Sequence, residues 1–174
     1  YPEMTGRMLA TIAAEWGVPQ PEAARRLQPG TAIYFLMDEP DVQRIMAFDA
    51  TMIGSDGVPA AGSKPHPRLY GCFPRILGHY VREEKVLSLE QCVRHMTSSA
   101  ADRLRIADRG RIVAGARADL VVFDKDRVRA NASYEAPRQA ATGICHVLVN
   151  GVFAVEDGQI TGSRAGSVLR MGDR

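Results

Sequence analysis

The sequence has 174 residues, with 22 Lys and Arg against 20 Asp and Glu and a formal net charge of +2. This length allows one domain with a sizeable core. The balanced charge gives no reason to expect nucleic-acid binding, and no apolar run approaches the ~20 residues of a membrane span. The sequence begins at Tyr1 without a signal-peptide pattern. We therefore expect the C-terminal piece of a longer protein, with an independent small α/β domain as the alternative.

The cysteines indicate a reducing environment. There are three of them, and none belongs to a C-x-x-C pair. This usage favours a cytoplasmic protein without a disulfide framework. We expect Cys72, Cys92 and Cys145 to be buried or half-buried thiols rather than metal ligands.

The first 108 residues alternate between helical and strand patterns. The apolar run over 32–37 is bounded by turn residues and predicts a buried strand of a parallel sheet. Two strands joined through a helix form a βαβ unit. In chain order, the predicted elements are a helix over 5–16, a helix over 21–27, the strand over 32–37, a helix over 38–48 and a strand that ends at Asp56.

The next stretch is a loop followed by helices. Residues 58–67 are rich in Gly, Pro, Ala and Ser, which predicts a loop. A helix is expected over 73–84. Ser88 and Gln91 form a capping-box pattern that predicts a further helix, and a short one is expected over 99–104.

From residue 109 onward the pattern is mostly β. Strands are expected over 118–123, 144–149 and 152–155. Asn150 and Gly151 lie between the last two and predict a type I′ hairpin, and Asp157-Gly158 marks a further turn. We therefore predict two domains, residues 1–108 and residues 109–174, with a loosely ordered tail over 161–174.

Three segments resemble a known protein family. Residues 52–57 read MIGSDG, an apolar, β-prone run that stops at a Ser-Asp-Gly turn. Residues 66–83 read HPRLYGCFPRILGHYVRE, and residues 110–124 read GRIVAGARADLVVFD. The third segment resembles a signature of the metal-dependent amidohydrolase superfamily. The first two, in this order, resemble the C-terminal part of its N-acyl-D-amino-acid deacylases (D-aminoacylases), and the resemblance covers essentially the whole chain.

This resemblance implies both a fold and a function. The fold is α/β: the C-terminal part of a (β/α)8 TIM-type barrel, which needs roughly 250 residues when complete, followed by part of a small β-sandwich. The implied function is zinc-dependent hydrolysis of the amide bond of N-acyl-D-amino acids. One alternative is a cyclic-amide amidohydrolase of the hydantoinase or dihydroorotase type, which the HPR…FPR stretch disfavours. The other is a non-catalytic structural half.

Asp56 is the candidate catalytic residue. The resemblance implies that it ends the eighth barrel strand, approaches the metal as a ligand and acts as the acid/base. A carboxylate beside an activated water can take its proton and hand it to the departing nitrogen. Without the resemblance, Ser-Asp-Gly is more often only a turn.

Three further residues are candidates for substrate binding. The planar guanidinium of Arg68 can hold the α-carboxylate of an N-acyl amino acid, although a loop-tethering role is equally open. His66 lies between two prolines and either contacts substrate or makes a structural hydrogen bond. Met37 ends the strand predicted over 32–37 and either lines the pocket or belongs to the core.

The remaining zinc ligands are missing from this sequence. It contains no H-x-H pair, and the resemblance places the ligand positions before Tyr1. We therefore expect the isolated chain to be inactive and to bind zinc weakly. The expected partners are the N-acyl-D-amino acid and the missing N-terminal part of the same protein, with self-association through exposed surface as a further possibility. The loop over 58–64 lacks a His-Asp pair that the family often carries, which leaves the preferred side chain open.

Overall fold

The computed structural model describes residues 1–59 and 64–170. Residues 60–63 of the predicted loop and residues 171–174 of the predicted tail lie outside this part of the chain. The described helices are the 3-10 turn Pro2–Met4, α1 (Leu9–Glu15), α2 (Gln20–Arg26), α3 (Glu39–Ala47), α4 (Arg68–Arg75), a π-helix (Ile76–Glu83), α5 (Leu89–Met96) and α6 (Ser98–Leu104).

The helix starts follow the capping chemistry of the sequence. Asp38 accepts a hydrogen bond from the backbone N–H of Glu39 at 3.1 Å and begins α3. The capping box that begins α5 is complete. Ser88 Oγ accepts from the N–H of Gln91 at 3.1 Å, and Gln91 Oε1 accepts from the N–H of Ser88 at 3.0 Å. Both predicted helix starts are therefore confirmed. They could be predicted because each depends on hydrogen bonds between residues only a few positions apart.

The helix expected over 73–84 begins earlier and changes its winding. It starts at Arg68 and carries Pro74 inside α4, where proline cannot donate to the carbonyl of Tyr70. The π-helix follows directly, and its last turn is closed by a bond of 2.8 Å from the N–H of Glu84 to the carbonyl of His79, five residues back. Such wide turns are rare in proteins.

The two strands predicted in the first 108 residues are not formed, and that prediction is wrong for the described chain. Residues 32–37 and 51–56 contain no β-ladder, so no βαβ unit is present there. The large side chains of residues 33–37 are exposed, with Leu36 at 83% and Met37 at 65%. A parallel strand needs a neighbouring strand with which its backbone groups can pair, and among the described residues no strand lies beside either segment.

The β-rich part forms one antiparallel sheet. Its strands are β1 (Leu120–Phe123), β2 (Ile144–Val149), β3 (Val152–Glu156) and β4 (Gln159–Ile160), paired in chain order. Asn150 and Gly151 link β2 to β3 with φ of 49° and 80°, and Asp157 and Gly158 link β3 to β4 with 49° and 75°. Positive φ at both central residues is typical of type I′ turns, so both turn predictions are confirmed. A second sheet of a sandwich is not seen in the described residues.

One core cluster contains side chains from both sides of residue 108. Cys92 and Val128 are completely buried, and Val128 comes from the segment after β1. The remaining buried members of the cluster are Met46, Ile76, Leu77, Tyr80 and Leu87. The domain boundary at residue 108 stays a prediction. Among the described residues, no helix has the length and apolar character needed to cross a bilayer.

Candidate active site

Asp56 lies in a short turn that is closed by a side chain rather than by a backbone hydrogen bond, and it presents its carboxylate to solvent. Its φ is 46°, in the left-handed region, which Asp tolerates better than most residues. The hydroxyl of Ser55 accepts a bond of 3.2 Å from the N–H of Gly57 and braces the turn. The Asp56 side chain is 75% exposed. The Ser-Asp-Gly turn is therefore confirmed, and its geometry leaves the carboxylate accessible.

Arg68 holds Asp56 at two points. Its Nη2 lies 2.6 Å from Asp56 Oδ2, and its Nε donates to the Asp56 backbone carbonyl at 2.8 Å. Arg68 begins α4, so the ion pair ties the turn to a helix twelve residues away. Ion pairs this exposed contribute only about 0–1 kcal/mol of stability, so the main effect of this one is to orient the carboxylate.

His66 connects the start of α4 to the β-rich part of the chain. Its Nδ1 accepts from the backbone N–H of Arg68 at 3.0 Å, and its Nε2 lies 3.4 Å from the hydroxyl oxygen of Tyr134. Partial burial is the main cause that lowers the pKa of the His66 imidazole; Arg68 lowers it further and Asp56 opposes the shift. The imidazole is therefore favoured in its neutral form, with the proton on Nε2 because Nδ1 is an acceptor.

In the described residues, no contact joins Met37 to the other candidate site residues, Asp56, Arg68 and His66. Met37 is 65% exposed, so pocket lining and core packing both stay predictions. The nearby side chain of Phe35 does contact Tyr134, which lies beside His66. Its ring lies edge-on to that of Tyr134, with centroids 5.0 Å apart.

Tyr134 is the residue that the sequence analysis missed. It lies 68 positions after His66, and its ring is also edge-on to the imidazole, with centroids 5.3 Å apart. No motif surrounds it, and no periodicity singles it out. Only the tertiary arrangement shows that it belongs beside His66.

The described residues do not hold a complete metal site. Across residues 1–59 and 64–170, no three His, Cys, Asp or Glu side chains cluster as ligands. Burial raises the pKa of the Cys92 thiol to about 11 and also raises that of Cys72, and metals bind thiolates rather than thiols. Cys145 is half-buried, so the predicted burial is confirmed for all three cysteines. Asp56 could offer carboxylate oxygen to a metal, but it could not hold one by itself.

The chain is similar to two curated deacylases from Alcaligenes xylosoxydans xylosoxydans. It is 50% identical to a D-aminoacylase over 169 residues, which is 97% of this chain and 35% of that protein. It is 51% identical to an N-acyl-D-glutamate deacylase over 170 residues, which is 98% of this chain and 34% of that protein. The chain thus spans about a third of the length of the curated relatives that it matches.

Solved structures show the same similarity in three dimensions. A D-aminoacylase described by its binuclear metal centre matches with a TM-score of 0.90 and 51% identity, over 95% of this chain and 35% of that one. An N-acyl-D-glutamate deacylase from Bordetella bronchiseptica, in complex with zinc and a phosphonate inhibitor, matches with a TM-score of 0.80 and 41% identity. That match covers 94% of this chain and 40% of that one.

The family assignment rests on most of the chain. Residues 7–155 match the amidohydrolase family. This range includes the Asp56 turn, the helix that begins at Arg68 and the sheet up to β3. The chain therefore belongs to the amidohydrolase family.

Proposed function

We propose that this chain supplies the acid/base end of the active site in a zinc-dependent enzyme that hydrolyses N-acyl-D-amino acids. The products are a free D-amino acid and a carboxylate. The observation that carries the proposal is the exposed Asp56 carboxylate, held at two points by Arg68 in a chain about half identical to two such deacylases. The rest of the active site comes from the part of the relatives that this chain does not span.

Asp56 is proposed to move the proton. Amide hydrolysis needs a base that takes a proton from the attacking water and an acid that delivers one to the departing nitrogen. An exposed carboxylate whose position is fixed by its backbone turn and by Arg68 can do both in sequence. Zinc, when bound, supplies the Lewis acidity of such enzymes, and its other ligands belong to the unspanned part.

Arg68 is proposed to bind the α-carboxylate of the substrate. Every N-acyl amino acid carries this group, and a guanidinium has five N–H donors in a planar fork. Its contacts with Asp56 use Nε and Nη2. An arginine that binds both the substrate carboxylate and the catalytic aspartate fixes the distance between these two groups. We also propose that His66 acts from beside Arg68, and that Met37 lines the pocket once its surroundings are complete.

The exposed segment over 33–37 supports a shared core with the remainder of the enzyme. Five successive large apolar side chains are exposed there, including Tyr34 at 73% and Phe35 at 64%. Contiguous apolar exposure of this kind marks a surface that another element covers. We propose that residues 1–108 contribute the last strands and helices of a (β/α)8 barrel, and that residues 109–174 contribute part of a β-sandwich.

The first test is kinetic and uses the complete enzyme. N-acetyl-D-amino acids should be hydrolysed, whereas the L enantiomers and cyclic amides such as dihydrouracil should not. Asp56→Asn keeps the shape of the side chain but removes its basicity, so kcat should fall by about 10²–10⁴ with folding and zinc content retained. Arg68→Lys keeps the charge but loses the fork, so KM should rise more than kcat falls.

Asp49→Asn is the matched control. Asp49 is also exposed, at 82%, and forms an ion pair with Arg94 at 3.1 Å. Its substitution should leave kcat unchanged. Near-normal kcat in Asp56→Asn with zinc bound would refute the catalytic assignment.

The second test uses the 174-residue chain alone. We propose that it hydrolyses no N-acyl amino acid, binds zinc weakly and self-associates through its exposed apolar segment. Elemental analysis, activity assays and light scattering measure these properties. Stoichiometric tight zinc with turnover would contradict the division of the active site, and a monodisperse monomer would contradict the self-association.

A further inference from the structure

The segment that carries Tyr134 lies directly on the helices that follow Arg68. A methyl group added at Gly71 of α4 would be 3.1 Å from the Cβ of Ala130, and one added at Gly78 of the π-helix would be 2.5 Å from the carbonyl oxygen of Val128. Arg82 donates to that same carbonyl at 2.6 Å. The absence of side chains at the two glycines therefore allows the backbone over 128–132 to approach this closely.

The loop that presents Tyr134 is closed at its base. Arg129 and Thr142 exchange two backbone hydrogen bonds of 3.1 Å each, and their pairing forms an isolated β-bridge. Inside the loop, the side-chain amide of Asn131 donates to the carbonyl of Ala140 at 2.8 Å and to the Thr142 hydroxyl at 2.9 Å. These bonds restrict the conformations of the loop and so hold Tyr134 in a defined position.

Tyr134 meets His66 through both its ring and its hydroxyl. The rings are T-shaped, at an interplanar angle of 76°, and the hydroxyl lies 3.4 Å from His66 Nε2. Because Nδ1 of His66 accepts from the backbone N–H of Arg68, the neutral ring carries its proton on Nε2 and donates it to Tyr134. The ring of Phe35 also packs edge-on against the ring of Tyr134.

We propose that Tyr134 is a positioning residue: through His66 it fixes the first turn of α4, and so the guanidinium of Arg68 against the Asp56 carboxylate. The chain of contacts runs from the Tyr134 hydroxyl to the imidazole, from the imidazole to the Arg68 backbone, and from the Arg68 side chain to Asp56. In this way the β-rich part of the chain sets the geometry of a site on the helical part. The kinetic consequence rests on the proposed function, whereas the hydrogen bond between Tyr134 and His66 does not.

The test uses the complete enzyme and the variant Tyr134→Phe, which keeps the ring contacts and removes the hydroxyl. The bond is long and not charged, so we expect kcat to fall by about 3–10-fold, with little change in the melting temperature. Because the Arg68 N–H still donates to Nδ1, His66 should keep its proton on Nε2 but lose the Tyr134 oxygen that accepts it, and the imidazole ¹⁵N shifts report the loss of this hydrogen bond. In a His66→Ala background, Tyr134→Phe should have no further effect on kcat.

Tyr70→Phe is the matched control. Tyr70 and Tyr134 are equally exposed, at 43%, and Tyr70 lies on α4 itself. This control should alter neither kcat nor the His66 shifts. If Tyr134→Phe leaves both unchanged as well, or acts independently of His66, the positioning role is wrong. If the enzyme hydrolyses no N-acyl-D-amino acid but the His66 ¹⁵N shifts still respond to Tyr134→Phe, the proposed function fails and the coupling of Tyr134 to His66 stands.

Discussion

Gly78 lies in the π-helix, where the structure leaves no room for an added methyl group. Among the helical glycines of the described residues, it tolerates a methyl group less well than Gly71. A Cβ there would lie 2.5 Å from the carbonyl oxygen of Val128 and 3.2 Å from the Cα of Arg129. Both are backbone atoms, so no rotamer change relieves the contact. We therefore expect Gly78→Ala to push the segment over 128–132 away from the π-helix.

The magnitude follows from three contributions. Overpacking of a buried site costs about 1–3 kcal/mol. Moving Val128 away from Arg82 weakens a charge-assisted hydrogen bond of 2.6 Å, which contributes about 1.5–3 kcal/mol. Alanine recovers about 1 kcal/mol over glycine through helix propensity. The expected net loss is about 1.5–5 kcal/mol in the free energy of unfolding, measured by urea titration with circular dichroism.

Two other glycines calibrate this measurement. A methyl group at Gly71 meets only the side-chain methyls of Ala130 and Ala132, at 3.1 and 3.3 Å, so Gly71→Ala should cost less. A methyl group at Gly166 meets nothing within 4 Å, so Gly166→Ala should stay within about 0.5 kcal/mol of the parent. If Gly78→Ala were as stable as Gly166→Ala, the close approach of Val128 to the π-helix would be refuted.

Three further predictions concern local structure. Ser88→Ala removes the side-chain acceptor of the capping box and should destabilise the protein by about 1 kcal/mol in the same titration; no loss would mean that the box does not stabilise α5. Gly151→Ala places a Cβ at a φ of 80°, so it should cost about 1–2 kcal/mol, whereas an unchanged stability would contradict the type I′ turn. Cys92, with a pKa of about 11, should stay protonated and resist iodoacetamide at pH 8 until urea exposes it, and rapid labelling of the folded protein would argue against its burial. Because folding raises this pKa, its contribution to stability is complete below the unfolded value of about 9 and is lost as pH rises through 11.

The parts of the structure that the sequence determines by itself depend on neighbours along the chain. The capping box at Ser88, the Asn150-Gly151 hairpin and the turn at Asp56 all formed where the sequence analysis expected them. Each depends on hydrogen bonds or dihedral preferences within about four residues, and these preferences do not change with distant contacts. The candidate catalytic carboxylate could be located for the same reason, with the family resemblance supplying its role.

The tertiary structure decided everything that depends on distant partners. Residues 32–37 have the composition of a buried strand, yet they remain unpaired and exposed because a strand is completed only by its neighbours. The ion pair of Arg68 with Asp56 and the contact of Tyr134 with His66 join positions that no local pattern relates. Tyr134 in particular reaches His66 from a segment that lies close to the helices at Gly71 and Gly78. Such a contact depends on the shape of the folded surface, which no short stretch of sequence encodes.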